Sequence, residues 1–244
     1  MEYNINGVDI PFDIKWKSIS VSLSGGADSA LLAYILANIA EEENRPNLII
    51  RTISHTRMWK TRPWQEHDSL RVFDWLQDRF SNIQWTRHTN FIAPDVEYGN
   101  IGTIITDEYG KQVSGDNAQI RAYSEYICHQ YEVDAYYNAV TKNPEHIAGL
   151  PERKIESSDD NQHLRLMKHM GRYAAHPFRF VTKDWVVQQY VNFGIMDLFN
   201  ITRSCEGEFS MINYLTYKSH DPVPTCGECF WCKEREWAVR SVLQ

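Results

Sequence analysis

The spacing of the cysteines points most directly to chemistry. Cys226, Cys229 and Cys232 form a Cys-x₂-Cys-x₂-Cys run, and Cys205 precedes it. Four thiolates arranged in this way can enclose one ion, as in the tetrahedral Cys₄ sites that hold structural zinc. The alternatives are an iron–sulfur cluster, a redox-active Cys-x-x-Cys pair or inert thiols. An iron–sulfur run would need a further cysteine where Glu236 stands, so the spacing favours Zn²⁺.

The glycine-rich segment Ser24–Ser29 is a second candidate site and reads Ser-Gly-Gly-Ala-Asp-Ser. Adjacent glycines let the backbone turn tightly and bring its N–H groups against a ligand. The helix predicted to follow adds free N–H groups at its positive end, which suits phosphate oxygens. Asp28 in such a loop suggests a Mg²⁺ ion between its carboxylate and the phosphates. The alternative is an ordinary strand–helix turn in which Asp28 is the N-cap.

Alternating strands and helices must position these two sites. β-Branched runs predict strands, and apolar residues at helical intervals predict helices. The predicted strands are Ile19–Leu23, Leu48–Ile53, Ile83–His88 and Ala135–Val140, and the predicted helices are Ser29–Glu43, Ser69–Phe80, Ala118–Tyr131, Lys183–Phe193 and Glu234–Leu243. This order predicts an α/β fold with a doubly wound parallel sheet, preceded by a hairpin or strap. Ligands of such sheets bind beyond the carboxyl ends of the strands, here residues 24–29, 54–63 and 114–121.

Composition restricts the class of protein. The chain has 25 Lys+Arg against 32 Asp+Glu, a formal net charge of −7. An acidic balance argues against nucleic acid as a partner, because phosphate contacts need clustered Lys and Arg. The longest apolar run, Ala30–Ala37, is far shorter than the ~18–20 residues that a membrane span needs, and the polar N-terminus does not resemble a signal peptide. These features predict a soluble, cytoplasmic protein that does not bind membranes, with a homodimer as one option.

Other polar side chains follow the predicted strands. Arg57, Lys60 and Arg62 come after the second strand and can bind a carboxylate or a triphosphate by charge-assisted hydrogen bonds, although a solvated basic loop is the alternative. Asn117 can bind a nucleobase or merely cap the helix that follows, and Arg121 lies one turn later.

The loop Ser24–Ser29 resembles the signature of the PP-loop ATP pyrophosphatases, which cleave ATP between its α- and β-phosphates. Together with the cysteines it resembles the 7-cyano-7-deazaguanine synthase family, whose Thr-Trp-Ser-Cys … Cys-Gly-x-Cys-x-x-Cys-x-x-Arg pattern has counterparts in Thr202–Cys205 and Cys226–Arg235. The segment leading to Thr182-Lys183 resembles the family's Thr-Lys. The chain departs from the family at Asp116, where the family has Arg, and in the rewritten segment 54–62.

The resemblance implies an adenine-nucleotide alpha-hydrolase (HUP) type of fold over residues 1–200 and a Cys₄ zinc-binding segment over 201–244. It implies a ligase that uses ATP, Mg²⁺ and ammonia to convert 7-carboxy-7-deazaguanine, through an acyl-adenylate, into the amide or nitrile. Asp28 and Lys183 would be catalytic. Where the chain departs from the family, the substrate-binding residues are expected to be Arg57, Lys60, Arg62 and Asp116, and the reversed charge at Asp116 would shift binding of the carboxylate onto Arg57, Lys60 or Arg62. ATP would be bound by Ser22, Leu23, Ser24, Gly25, Gly26, Ala27, Asp28, Ser29, Ser54, Asn117 and Arg121.

Three other functions remain open from the sequence. One is a PP-loop sulfurtransferase acting on RNA, which would need a reactive cysteine outside the metal site. Cys128, the fifth cysteine, lies in an apolar stretch that is more typical of a core thiol. The others are a relative that transfers a deazapurine and a non-catalytic nucleotide-binding module.

Overall fold

A computed structural model describes residues 2–57, 65–92, 104–106, 112–144, 165–167, 172–205 and 225–244, with the backbone alone at 57, 104–106, 112–118 and 165–167. The strands are β1 (Glu2–Ile5), β2 (Val8–Pro11), β3 (Ser18–Ser22), β4 (Ile49–Arg57), β5 (Gln84–Ile92), β6 (Ile104–Thr106), β7 (Gln112–Ser114), β8 (Ala135–Tyr137), β9 (Arg165–Met167) and β10 (Arg172–Ala175). The helices are α1 (Ala27–Glu42), α2 (Gln65–Arg79), α3 (Gly115–Gln130), α4 (Lys183–Asn192), α5 (Met196–Ile201) and α6 (Phe230–Leu243).

The main sheet has the strand order β5-β4-β3-β8-β10-β9. The first five of these strands are parallel, and β9 pairs antiparallel with β10 at the edge. The chain moves outward from β3 through β4 to β5 and then returns to the other side of β3 at β8. This reversal beside β3 is the topological switch point of an open α/β sheet. The predicted α/β fold with a parallel sheet is therefore confirmed, whereas the division at residue 200 stays a prediction.

Side chains of β3 alternate between two chemically different faces of the sheet. Ile19 and Val21 join the main core, which also contains buried residues of α1, α2, α4 and α5. Ser20 faces the other way, and its Oγ lies 3.6 Å from the Sγ of Cys128 on α3. Alternate residues of a strand point to opposite faces, so α3 lies on the face opposite to the main core. Helices therefore cover both sides of the sheet.

A hairpin of β1 and β2 closes one side of the core, as the sequence predicted. Its turn places Asn6 and Gly7 at positive φ, 47° and 87°, which suits a tight turn between antiparallel strands. Buried residues of the hairpin segment extend the core, and the hydroxyl of Tyr137 on β8 donates to the Pro11 carbonyl at 2.6 Å.

Several sequence-based element boundaries differ from the structure by three or four residues, in both halves of the chain. Helix α3 begins at Gly115, before the predicted start, and β8 ends at Tyr137, before the predicted end. The sequence analysis missed β10 and α5, of four and six residues. Such short elements depend on contacts with the rest of the fold, because they contain too few residues to show a clear periodic pattern.

Candidate functional site

A cleft of about 400 Å³ opens at the carboxyl ends of β3, β4 and β8. It therefore lies at the switch point of the sheet, where ligands of open α/β sheets bind. It is lined by residues of the glycine-rich loop, of β3 and β4, of the segment after β8, of helices α2, α3, α4 and α6, and of the segment 203–205: Ser22, Ser24, Gly26, Asp28, Ser29, His55, Gln65, Asp68, Ile120, Asn138, Ala139, Val140, Thr141, Lys183, Arg203, Ser204, Cys205, Trp231 and Glu234.

Glycine is required at position 25 for two reasons. Its φ is +81°, in the left-handed region, and a Cβ there would lie 2.5 Å from Asp68 Cβ and 2.8 Å from the Ser69 nitrogen. The first turn of α2 thus packs directly on the loop backbone. The predicted tight turn is present, and its tightness comes from this tertiary contact as well as from the local sequence.

Serine side chains and Gly26 organise the loop that follows β3. The backbone N–H of Ser24 donates to Ser29 Oγ at 3.1 Å, and Ser29 Oγ donates to the Gly26 carbonyl at 3.1 Å. Gly26 is the N-cap of α1, so Asp28 lies inside the first turn of the helix. The alternative in which Asp28 is the N-cap is therefore wrong.

Asp28 and Lys183 form an ion pair in the cleft, with Lys183 Nζ donating to Asp28 Oδ2. The Lys183 side chain is only 4% exposed, and Glu234 Oε2 lies 3.7 Å from its Nζ. Thr182 is the N-cap of α4, so Lys183 is the first residue of that helix. The buried Asp28 Oδ1 has no hydrogen-bond partner among the described residues. The structure brings the two predicted catalytic side chains together and leaves one carboxylate oxygen available to a ligand.

The four cysteines of the predicted metal site lie together. Their sulfur atoms are all within 4.8 Å of one another, with 3.5 Å between Cys205 and Cys226 and 3.9 Å between Cys226 and Cys232. A tetrahedron with metal–sulfur bonds of ~2.3 Å has edges of about 3.8 Å, so these distances suit Zn²⁺. Gly227 makes the turn between two ligands with a φ of +72°.

The surroundings of the thiols affect how readily they can bind a metal ion. Hydrogen bonding to Cys205 and burial raise the pKa of Cys232, and burial raises the pKa of Cys229. Neutral thiols are therefore favoured while no positive charge is present. A bound ion reverses this balance, because coordination requires the thiolates.

The cysteine cluster and the cleft are parts of one construction. Helix α6 begins just after Cys229 and presents Trp231 and Glu234 to the cleft. Arg235, on the same helix, donates to Thr202 Oγ1 and to the Phe199 carbonyl at 2.8 Å each. Its guanidinium lies 3.8 Å from the Phe199 ring centroid, and burial lowers the pKa of Arg235 to about 10, so it remains charged at neutral pH.

The main chain between α5 and Cys205 is fixed to the glycine loop. The Arg203 N–H donates to the Gly25 carbonyl at 2.8 Å. The Arg203 side chain lines the cleft, and its Nη1 lies 3.8 Å from Asp68 Oδ2. Arg203 and Ser204 thereby connect the glycine loop at Gly25 to Cys205, which is far away in the sequence.

Several predicted ligand residues do not line the cleft. The Leu23 and Ala27 side chains belong to the core, Ser54 hydrogen-bonds Thr89 Oγ1 at 3.3 Å, and Arg121 Nε donates to Glu125 Oε1 at 3.1 Å. The structure therefore does not support the prediction that these side chains contact a ligand. Lys60 and Arg62 lie outside the described residues, as do the side chains of Arg57, Asp116 and Asn117.

The sequence analysis missed His55, which lines the cleft next to Ser54. It is 4% exposed, and its Nε2 lies 3.2 Å from Ser124 Oγ on α3. Ser54 points to the opposite face of β4 because side chains alternate along a strand. Ile50 is apolar and joins the main core. Because Ser54 is an even number of residues from Ile50, the sequence could have indicated that Ser54 shares the core face and that His55 points to the opposite face.

Comparison with models of known protein families found no match to this chain, and comparison with curated proteins also found none. Among the described helices, none combines the length and the apolar character that crossing a bilayer requires.

Proposed function

We propose that this chain is an ATP pyrophosphatase that adenylates a carboxylate and passes it to ammonia. The observation that carries the proposal is the glycine loop at the switch point, with the Lys183–Asp28 pair lining the same cleft. A tight loop leading into the N-terminus of a 16-residue helix presents backbone N–H groups and a positive dipole end to anions. The volume of the cleft, about 400 Å³, lies within the range of small-molecule sites.

The residues present fit the two metals that the proposal needs. Asp28 Oδ1 is a buried oxygen without a hydrogen-bond partner among the described residues, and oxygen is the ligand that Mg²⁺ prefers. When bound there, Mg²⁺ would neutralise charge on the phosphates. The thiols of Cys205, Cys226, Cys229 and Cys232 fit a structural Zn²⁺ ion, which would hold α6 and the segment 202–205 in place.

The side chains of the cleft would act mainly by position and charge. Lys183 would stabilise the negative charge that builds up on the phosphates as the bond between the α- and β-phosphates breaks. Asp28 would hold the Lys183 ammonium in place. Ser24 and Ser29 keep the loop in the conformation that receives pyrophosphate. No covalent bond to the enzyme is required, because correct orientation of carboxylate and α-phosphate supplies much of the rate enhancement.

The proposed acceptor is 7-carboxy-7-deazaguanine, on the strength of the resemblance described above. Its carboxylate would attack the α-phosphate of ATP, giving an acyl-adenylate and pyrophosphate. Ammonia would then displace AMP to form the amide. A second ATP would adenylate the amide oxygen, and loss of this oxygen with AMP would give the nitrile. Arg57, Lys60, Arg62 and Asp116 are proposed to bind the acceptor. Arg57 ends β4, Lys60 and Arg62 follow it in the sequence, and Asp116 is the second residue of α3.

The test is incubation with 7-carboxy-7-deazaguanine, ATP, Mg²⁺ and ammonium, followed by mass spectrometry of the deazapurine and quantification of AMP and pyrophosphate. Lys183→Met should reduce pyrophosphate release by about 100-fold or more, as is typical when one group that stabilises the transition state is removed. Lys15→Met is the matched control, because Lys15 is exposed. Tight ATP binding without pyrophosphate release would favour the non-catalytic module. AMP formation with other carboxylates alone would refute only the named acceptor.

A further inference from the structure

Glu234 is a buried carboxylate that lies beside the ammonium of Lys183. The Glu234 side chain is 1% exposed, and its Oε2 lies 3.7 Å from the Nζ of Lys183, whose side chain is 4% exposed. Asp28 Oδ2 accepts a hydrogen bond from the same ammonium. One buried cation of the cleft therefore faces two carboxylates, which come from two different helices, α1 and α6.

The helices that carry these three side chains are fixed to one another by buried contacts. The hydroxyl of Tyr190 on α4 donates to the carbonyl of Ala27, the first residue of α1, at 2.7 Å. Helix α6 packs on α4, and its Ala238, one turn after Glu234, is buried in the main core. The fold thus sets the backbone positions of Lys183 and Glu234 relative to the glycine loop.

The side chain of Lys183 keeps a freedom that the backbone does not remove. A lysine ammonium is a point charge at the end of a flexible stem, so one partner, Asp28, leaves its position only partly defined. The distance of 3.7 Å to Glu234 is longer than the ~2.7–2.9 Å of a charge-assisted hydrogen bond. Glu234 therefore acts on the ammonium through its charge, and burial keeps this attraction from being screened by salt.

The resemblance described above does not account for a carboxylate at position 234. The pattern Cys-x-x-Arg, which the chain shares from Cys232 to Arg235, leaves this position unspecified. Burying a charge costs free energy unless other groups compensate for it, and a well-packed apolar side chain is often the more stable choice in place of a buried ion pair. The pairing of Glu234 with Lys183 is thus a feature of this chain's own cleft, and its cost indicates a role at the lysine.

We propose that Glu234 is a positioning residue that holds the Lys183 ammonium where the phosphates of the nucleotide bind. This inference rests on the proposed function and adds to it a residue that affects the reaction only through Lys183. Helix α6 begins directly after Cys229, so Glu234 also links the helix of the cysteine cluster to the lysine of the cleft. The charge of Glu234, and not only its volume, is what the role requires.

The experiment is a double-mutant cycle of Glu234→Gln and Lys183→Met, read by pyrophosphate release from ATP with 7-carboxy-7-deazaguanine and ammonium. Glu234→Gln keeps the size and removes the charge, so kcat should fall about 10-fold with KM for ATP little changed, because a misplaced lysine stabilises the transition state less well. In the Lys183→Met background the same change should lower kcat less than about 2-fold, since the two residues act as one unit. Glu234→Asp keeps the charge on a shorter stem and should have an intermediate effect. Glu236→Gln is the matched control, because Glu236 lies on the same helix and its side chain is 56% exposed.

Equilibrium urea unfolding of the same four proteins tests the pairing without reference to activity. The double variant should lose less stability than the two single variants together, because each single change leaves a buried charge with one partner fewer. Additive losses of stability would overturn the inference, as would unchanged kcat in Glu234→Gln or an undiminished effect of that change in the Lys183→Met background.

Failure of the inference and failure of the proposed function give different results. In the first case the wild type releases pyrophosphate and Glu234→Gln behaves like Glu236→Gln. In the second case the wild type releases no pyrophosphate, and the role of Glu234 in that reaction is refuted with it. Circular dichroism and zinc content check folding, and if Glu234→Gln fails these checks, a kcat of Glu234→Asp equal to that of the wild type overturns the inference.

Discussion

Replacing Gly25 by alanine tests whether the glycine loop packs directly on α2. The left-handed φ of +81° at this position costs an L-residue about 1–2 kcal/mol. The added Cβ would also lie 2.5 Å from Asp68 Cβ, 2.7 Å from the Asp68 carbonyl carbon and 2.8 Å from the Ser69 nitrogen. Two of these three are backbone atoms, so the helix itself must shift, at about 2–3 kcal/mol for overpacking. We therefore expect the free energy of unfolding to decrease by about 3–5 kcal/mol.

Gly194→Ala separates the two contributions. Gly194 has a similar φ of +67°, but a Cβ there would meet nothing within 4 Å. It should therefore lose only the conformational part, about 1–2 kcal/mol. Equilibrium urea unfolding followed by circular dichroism measures both variants against the wild type. Equal losses of stability in the two variants would refute the packing of α2 on the loop.

Three further predictions concern the metal centre, the ion pair and the isolated thiol. Cys229→Ser should abolish binding of one Zn²⁺ per chain and greatly lower stability, because metal binding and folding are coupled; iron and sulfide in the wild type would contradict the zinc assignment. Asp28→Asn should reduce Mg²⁺-dependent pyrophosphate release at least ~10-fold, and full activity at limiting Mg²⁺ would refute a metal role for Asp28. Burial raises the pKa of Cys128 from 9.0 to about 11, so folding favours the neutral thiol, and this contribution to stability is complete below about pH 9 and is lost as the pH rises through about 11. At pH 8, intact-mass analysis should show that iodoacetamide alkylates Cys128 only after unfolding; rapid alkylation of Cys128 in the folded protein would contradict its burial.

Side-chain direction at the end of β4 shows where sequence reasoning reached its limit. The strand was predicted to end at Ile53, whereas it continues to Arg57, and its carboxyl end was expected to border a site. Ser54 was chosen as the binding residue, yet His55 lines the cleft and Ser54 faces Thr89. An error of one position reverses the face, because side chains alternate along a strand.

The lining of the cleft by Arg203 and Glu234 could not be predicted from local patterns. Both residues are buried and charged, and charged residues usually lie at the surface. The bond between the Arg203 N–H and the Gly25 carbonyl, together with the packing of α6 on α4, brings them to the loop. No periodicity in the chain records these contacts.

The sequence by itself determined the glycine loop and the cysteine run. Both depend on residues that are close in the chain, so their spacing alone constrains their geometry. The alternation of strands and helices likewise determined the parallel α/β sheet, since hydrophobic periodicity is a local property. Only the tertiary structure decided that the loop and the cysteines border one cleft. That arrangement depends on contacts between distant segments, in which Cys205 joins the three later cysteines while the two residues before it lie against Gly25 and Gly26.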